Sequence, residues 1–201
     1  MANAKTKEGL MISSCHQETA FQIPLFIIRI ADWEYKKEKL LSLVNWEESE
    51  GTKDFGESAN AFSDYYIHLH TGCPYKKQFH TYLLEEFHIF SERINTGFEL
   101  RDLWAQRYYN TDGMEPHTHG TSSFSGVLYA EFDSNEHEAT TFMAPFNNFI
   151  TDRNLYCTPK VTEGTMLIFP SMLTHFATAN RSSKPRTIFS FNLLCNSSVK
   201  R

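Results

Sequence analysis

The chain has no apolar run long enough to cross a bilayer. Its longest, "IPLFIIRI" at 23–30, is broken by Arg29, whereas a spanning helix needs about 20 apolar residues. An apolar signal-peptide core is also missing: "MANAKTKEGLMISS" has lysines at the N-terminus but no hydrophobic stretch behind them. There is no Cys-x-x-Cys pair. Cys15, Cys73, Cys157 and Cys195 stand far apart, so they read as reduced thiols in a cytoplasmic protein. There is no excess of basic residues either. A formal net charge of −5 argues against a nucleic-acid backbone as partner, because such binders present a basic face. It leaves room for a small anion held by one or two placed cations. Repeats, low-complexity tracts and Pro/Gly/Ser linkers are absent, so nothing divides the chain into several domains.

What remains is a globular composition. In 201 residues, 41% are hydrophobic and 14% aromatic, enough to build one real core. We expect a flexible segment over 1–20 and a single domain over 21–201. Helical support occupies about 21–97 and a β core about 98–195. "FQIPLFIIRI" reads as a strand, and "ADWEYKKEKLLSLVNWEE" (31–48) as a helix with Trp33, Leu40, Leu41 and Val44 on one face. Residues 49–63 read as a loop. The strongest helix is 74–94, with an apolar stripe of Phe79, Tyr82, Leu83, Phe87, Phe90 and Ile94 and a stop at Asn95–Gly97. From residue 98 the pattern changes to short β-rich runs: "FELRDLWAQRYY", "SGVLYAEF", "TTFMAPF", "GTMLIFP" and "RTIFSFNLL". Strands at short spacing after helices predict a mainly β sandwich or barrel with helices packed on one outer face.

Two His-x-His pairs lie in the chain, His68/His70 in "YYIHLH" and His117/His119 in "EPHTHGTSSFSG". In a strand, residues i and i+2 share a face with Cα atoms roughly 6.5–7 Å apart, and two imidazoles so placed can reach one ion at about 2.1 Å each. Any strand with alternate histidines meets that condition. Context separates the pairs: the first sits among Tyr65, Tyr66, Ile67 and Leu69 and reads as the polar face of an edge strand. The second is followed, far downstream, by an isolated His175 and then by Arg186 opening a strand. On that strand Thr187, Phe189, Phe191 and Leu193 form an apolar face, while Arg186, Ile188, Ser190 and Asn192 share the other. That second face is either solvent-exposed or lines a cavity where Arg186 grips a carboxylate.

The stretches "LWAQRYYNTDGMEPHTHGTSSFSGVLYAEF" and "VTEGTMLIFPSMLTHFATANRSSKPRTIFSFN" resemble the Fe(II)- and 2-oxoglutarate-dependent oxygenases, most closely the small branch common in marine bacteria and their phages. The resemblance covers a little under half the chain. It implies a double-stranded β-helix (jelly roll) with N-terminal helices, and an enzyme using Fe(II), 2-oxoglutarate and O2. Such an enzyme is expected to hydroxylate a small-molecule or peptidyl substrate while 2-oxoglutarate is decarboxylated to succinate. By that resemblance His117, His119 and His175 fall on the metal positions and Arg186 on the cosubstrate arginine, with Ser190, Tyr129 and Tyr109 as further cosubstrate contacts. The superfamily has Asp or Glu where this chain has His119. Either His119 is a true third ligand, or a carboxylate such as Glu131 or Asp133 completes the shell. Two rival readings stand beside this one. One is a cupin-type metal enzyme working without 2-oxoglutarate, echoed by Gly164, Pro170, His175 and Asn180. The other is a non-catalytic jelly-roll binding module. The expected partners are the substrate and a second copy of the chain as a homodimer, with neither nucleic acid nor membrane.

Overall fold

A computed structural model describes residues 19, 22–47 and 61–196. The expected flexible segment 1–20, Cys15, and most of the expected loop 49–63 therefore lie outside the described residues. Among the described residues, ten strands and four helices follow in the order β1 (Phe26–Arg29), α1 (Trp33–Leu41), β2 (Phe62–Ser63), α2 (Tyr65–His68), α3 (Lys76–Tyr82), α4 (Leu84–Ile94), β3 (Phe98–Tyr108), β4 (Met114–His117), β5 (Phe124–Glu131), β6 (Thr141–Asn147), β7 (Asn154–Cys157), β8 (Thr165–Pro170), β9 (His175–Ala177) and β10 (Arg186–Cys195). Six strands pair as β1-β8-β5-β10-β3-β2 and four as β4-β9-β6-β7, every neighbour antiparallel. No helix among the described residues is long and apolar enough to cross a membrane.

The six-stranded sheet is buried on both faces, and strand alternation sorts its residues between two cores. Phe189, Phe191 and Leu193 of β10, Leu128 and Ala130 of β5, and Met166 and Ile168 of β8 pack with Leu40, Phe79, Phe87 and Phe90 from the helices. The alternate residues Ile188, Val127, Tyr129, Leu167 and Phe169 join Tyr108 and Phe142 in a second core facing the four-stranded sheet. At about 1.5–3 kcal/mol per fully buried large apolar side chain, these two layers dominate the fold's stability. The helix stripe read from sequence supplies the first layer: Phe79, Leu83, Phe87 and Phe90 are all buried.

Several local expectations need correction. The helix expected over 31–48 ends at Leu41. The two lysines that interrupt its stripe reach acids elsewhere, Lys36 Nζ to Glu86 at 2.7 Å and Lys37 Nζ to Glu163 at 2.6 Å. The single helix expected over 74–94 is two, broken at Leu83, whose φ of −116° and ψ of 23° leave the helical region. Its stop is as read, with Asn95 in the left-handed region at φ 52°. "YYIHLH" is a helical turn rather than an edge strand, and His68 leans toward buried Asp64 at 3.7 Å. Phe62–Ser63, read as loop, pairs with Arg107 and Gln106 of β3. Strand β7 had no period-2 signature because all four of its residues are exposed.

Candidate metal centre

Strands β4 and β9 pair so that His117 lies directly opposite His175. His119 stands two residues past the end of β4, where its backbone N–H donates to the Ser171 carbonyl at 3.0 Å. Turn and strand together gather the three imidazoles, and one nitrogen of each lies within 4.8 Å of the others. Ring centroids are 4.4 Å apart for His117–His175 and 5.1 Å for each of the two pairs with His119.

Their hydrogen bonds decide which nitrogen is free. His117 Nδ1 lies 2.8 Å from the Glu115 carbonyl and His175 Nδ1 lies 2.9 Å from the Leu173 carbonyl. A carbonyl only accepts, so each Nδ1 carries the hydrogen and each Nε2 keeps a lone pair, the arrangement that orients metal-binding histidines. All three rings are held neutral. Burial, reinforced by the nearby His117, pushes His175 down to about 3. Burial, with His117 and Arg101 alongside, pushes His119 down to about 4. Burial lowers His117 too, against the opposing pull of the Glu115 carbonyl. Trp104 stacks on His119 at 5.6 Å, while Phe142 and Phe169 pack on His175.

The histidines border a cavity of about 680 Å³ between the two sheets. Arg186, 3% exposed, opens β10 and lies behind the cavity-lining Tyr108 rather than on the cavity wall. Its Nη1 donates to the Glu138 carbonyl at 2.8 Å and its Nη2 to the Thr178 carbonyl at 3.0 Å, and its guanidinium sits 4.7 Å over the Tyr108 ring. No carboxylate among the described residues forms an ion pair with it. Burial lowers its pKa, against the opposing pull of Tyr108, Tyr129 and Glu138.

Comparison with known proteins agrees with this architecture. Residues 102–192 match the model of a family described as "Putative 2OG-Fe(II) oxygenase". The β core has the fold of solved 2-oxoglutarate-dependent oxygenases. Its two antiparallel sheets form the double-stranded β-helix of that fold, as expected from sequence. Among solved structures, the non-heme alpha ketoglutarate dependent epimerase SnoN from nogalamycin biosynthesis superposes with a TM-score of 0.63 at 13% identity, over 86% of this chain and 76% of that one. A prolyl-4-hydroxylase from Pseudomonas putida gives 0.55 at 12%, over 86% and 93%. The viral collagen prolyl hydroxylase of Paramecium Bursaria Chlorella virus-1 gives 0.55 at 12%, over 83% and 94%. No curated protein matches the sequence.

The remaining candidates fall at different places in this core. Tyr129 is buried deep beside Arg186, its hydroxyl donating to Thr140 Oγ1 and accepting from Thr140 N–H, both at 3.0 Å. Ser190 lines the cavity but donates to Gln106 Oε1 at 3.0 Å. Tyr109 is not brought to the site: it is 43% exposed and its ring packs against Phe62. Its neighbour Tyr108 faces the cavity instead. With Trp104 and Gln106 it forms the period-2 set of β3 that sequence reading missed, although "WAQRY" carries the alternation. Glu131 and Asp133 lie outside the cluster. Glu131 accepts from Arg107 Nη2 at 2.9 Å and from the Thr187 hydroxyl, and Asp133 accepts from Lys184 Nζ at 2.6 Å. A register shift between Thr187 and Ile188 sets Glu131 opposite Thr187, on the face away from the cavity. Asn180 ties its turn together, donating to the Tyr108 and Lys184 carbonyls at 2.9 Å each.

Proposed function

We propose that His117, His119 and His175 hold Fe(II) through their Nε2 atoms, that Arg186 anchors the far carboxylate of 2-oxoglutarate, and that the protein is an oxygenase hydroxylating a small-molecule or peptidyl substrate. The observation that carries this reading is a cluster of imidazoles on a cavity whose wall, at Tyr108, backs onto a buried cation. Three imidazoles each bring one nitrogen within 4.8 Å of the others, and the buried Arg186 guanidinium forms no ion pair with a carboxylate among the described residues. Imidazole nitrogen suits Fe(II), and three such ligands leave positions for other groups.

The chain's own residues do the positioning. Hydrogen bonds to the Glu115 and Leu173 carbonyls aim the Nε2 lone pairs of His117 and His175 at a common point. Trp104 limits how far the His119 ring can turn. The Glu138 and Thr178 carbonyls hold the Arg186 guanidinium against Tyr108, so a carboxylate meets donors that are already ordered. Phe142 and Phe169 exclude water from the inner side of His175. With O2 and 2-oxoglutarate, bound Fe(II) supplies the oxidising power for an unactivated C–H bond, and 2-oxoglutarate leaves as succinate and CO2. In this assignment His119 stands where relatives carry a carboxylate, so the protein contributes no negative charge to the metal.

The test is anaerobic loading with Fe(II), addition of 2-oxoglutarate and air, and quantification of succinate. Succinate that requires both additions, and is lost in His175→Ala, supports the assignment. Fe(II) binding that His175→Ala leaves unchanged sinks it.

A further inference from the structure

We propose that the β6–β7 hairpin is the self-association surface of this protein, joining two copies about a two-fold axis along their β7 edges. Among the described residues, strand β7 ends the four-stranded sheet and pairs with β6 only. All four of its residues are exposed, so its outer edge offers backbone donors and acceptors to an incoming strand. Large apolar side chains gather around that edge. Phe149 and Ile150, in the hairpin turn, are 95% and 82% exposed, Phe146 and Tyr156 are 56%, and Leu155 is 36%.

The area involved points to a protein of the same kind. With about 200 Å² for a fully exposed large side chain, these five present on the order of 650 Å², approaching the share of about 800 Å² that one partner contributes to a standard-size protein interface. A two-fold uses one patch twice, so it covers the whole surface on both copies and needs no second site. Antiparallel pairing of β7 with its counterpart extends both four-stranded sheets in the sense they already have. The tip carries one acid and one base, Asp152 and Arg153, so apposition adds no like-charge repulsion there despite a formal net charge of −5. A membrane surface is the poorer occupant, because interfacial apolar segments pair with several lysines or arginines.

Sedimentation velocity of the full chain across micromolar concentrations tests this. The expected result is a species of twice the chain mass, and in Phe149→Asp/Tyr156→Asp a dimer weakened at least tenfold with an unchanged circular dichroism spectrum. A parent that stays monomeric overturns the proposal and leaves the face to another protein or to residues 1–18. A dimer that survives the double substitution overturns it too, because another surface then holds the copies together.

Discussion

Replacing Arg186 with methionine separates the cost of a buried cation from its use. In the unliganded protein the guanidinium is buried, held by two carbonyls at 2.8 and 3.0 Å and by the Tyr108 ring. Methionine keeps much of the volume and removes the charge. It leaves the Glu138 and Thr178 carbonyls without their donors, at about 1–3 kcal/mol each. It also relieves a cation whose burial without a counter-ion costs several kcal/mol. The two effects oppose each other, so the unfolding free energy of the ligand-free protein is expected to change by no more than about 2 kcal/mol. Binding of 2-oxoglutarate has no such offset. Losing the buried partner of a carboxylate costs about 2–5 kcal/mol, a roughly 30-fold to several-thousand-fold weaker Kd. Calorimetric titration of 2-oxoglutarate into Mn(II)-loaded protein measures the second quantity, and urea unfolding measures the first. The reasoning is refuted if Arg186→Met binds 2-oxoglutarate within threefold of the parent, or if it unfolds outright, which would make Arg186 a structural pin.

Three further outcomes follow from the packing and the site. A Cβ at Gly126 would stand 2.1 Å from Cζ of Phe191, a ring wedged against Phe79 and Phe87. Gly126→Ala should therefore lose about 1–3 kcal/mol in urea unfolding, and Phe191→Leu in the same chain should restore part of it. Asp64 accepts from the Tyr75 hydroxyl and from Ala105 N–H, and burial raises its pKa above the ordinary 3.8. The folded state thus holds the proton more tightly, and stability falls as pH rises from about 4 through the folded value. Asp64→Asn should flatten that slope, whereas Asp64→Ala, which orphans both donors, should cost about 2–5 kcal/mol at neutral pH. Finally, His119→Ala should weaken Fe(II) binding at least tenfold in a competitive chelator titration, while Glu131→Gln and Asp133→Asn leave it unchanged. The reverse order would return the third ligand to a carboxylate.

How much of this was legible in the sequence depends on how local each cause is. The alternation in "RTIFSFNLL" placed Phe189, Phe191 and Leu193 on one side of β10 and Arg186, Ile188 and Ser190 on the other, and both faces are where that alternation put them. The fold class was legible for the same reason: periods of 2 and 3.6 are properties of short segments. The convergence of His117 with His175 was reachable only through family resemblance, because the β4–β9 pairing joins segments with no local signal for each other. Helix breaks were not legible, since Leu83 belongs to the apolar stripe and only its backbone departs from the helix.

Glu131 shows most clearly where strand arithmetic stops. Counting in twos from Ser125 through Val127 and Tyr129 puts it on the cavity face. The register shift opposite Thr187 reverses that parity within one residue pair, and the carboxylate turns outward to Arg107. A shift of that kind needs the partner strand to be seen. Once it is placed, neither candidate carboxylate lies with the metal cluster. His119, stacked on Trp104 and 5.1 Å from each of the other two rings, is the residue whose nitrogen stands in the third donor position of the proposed site.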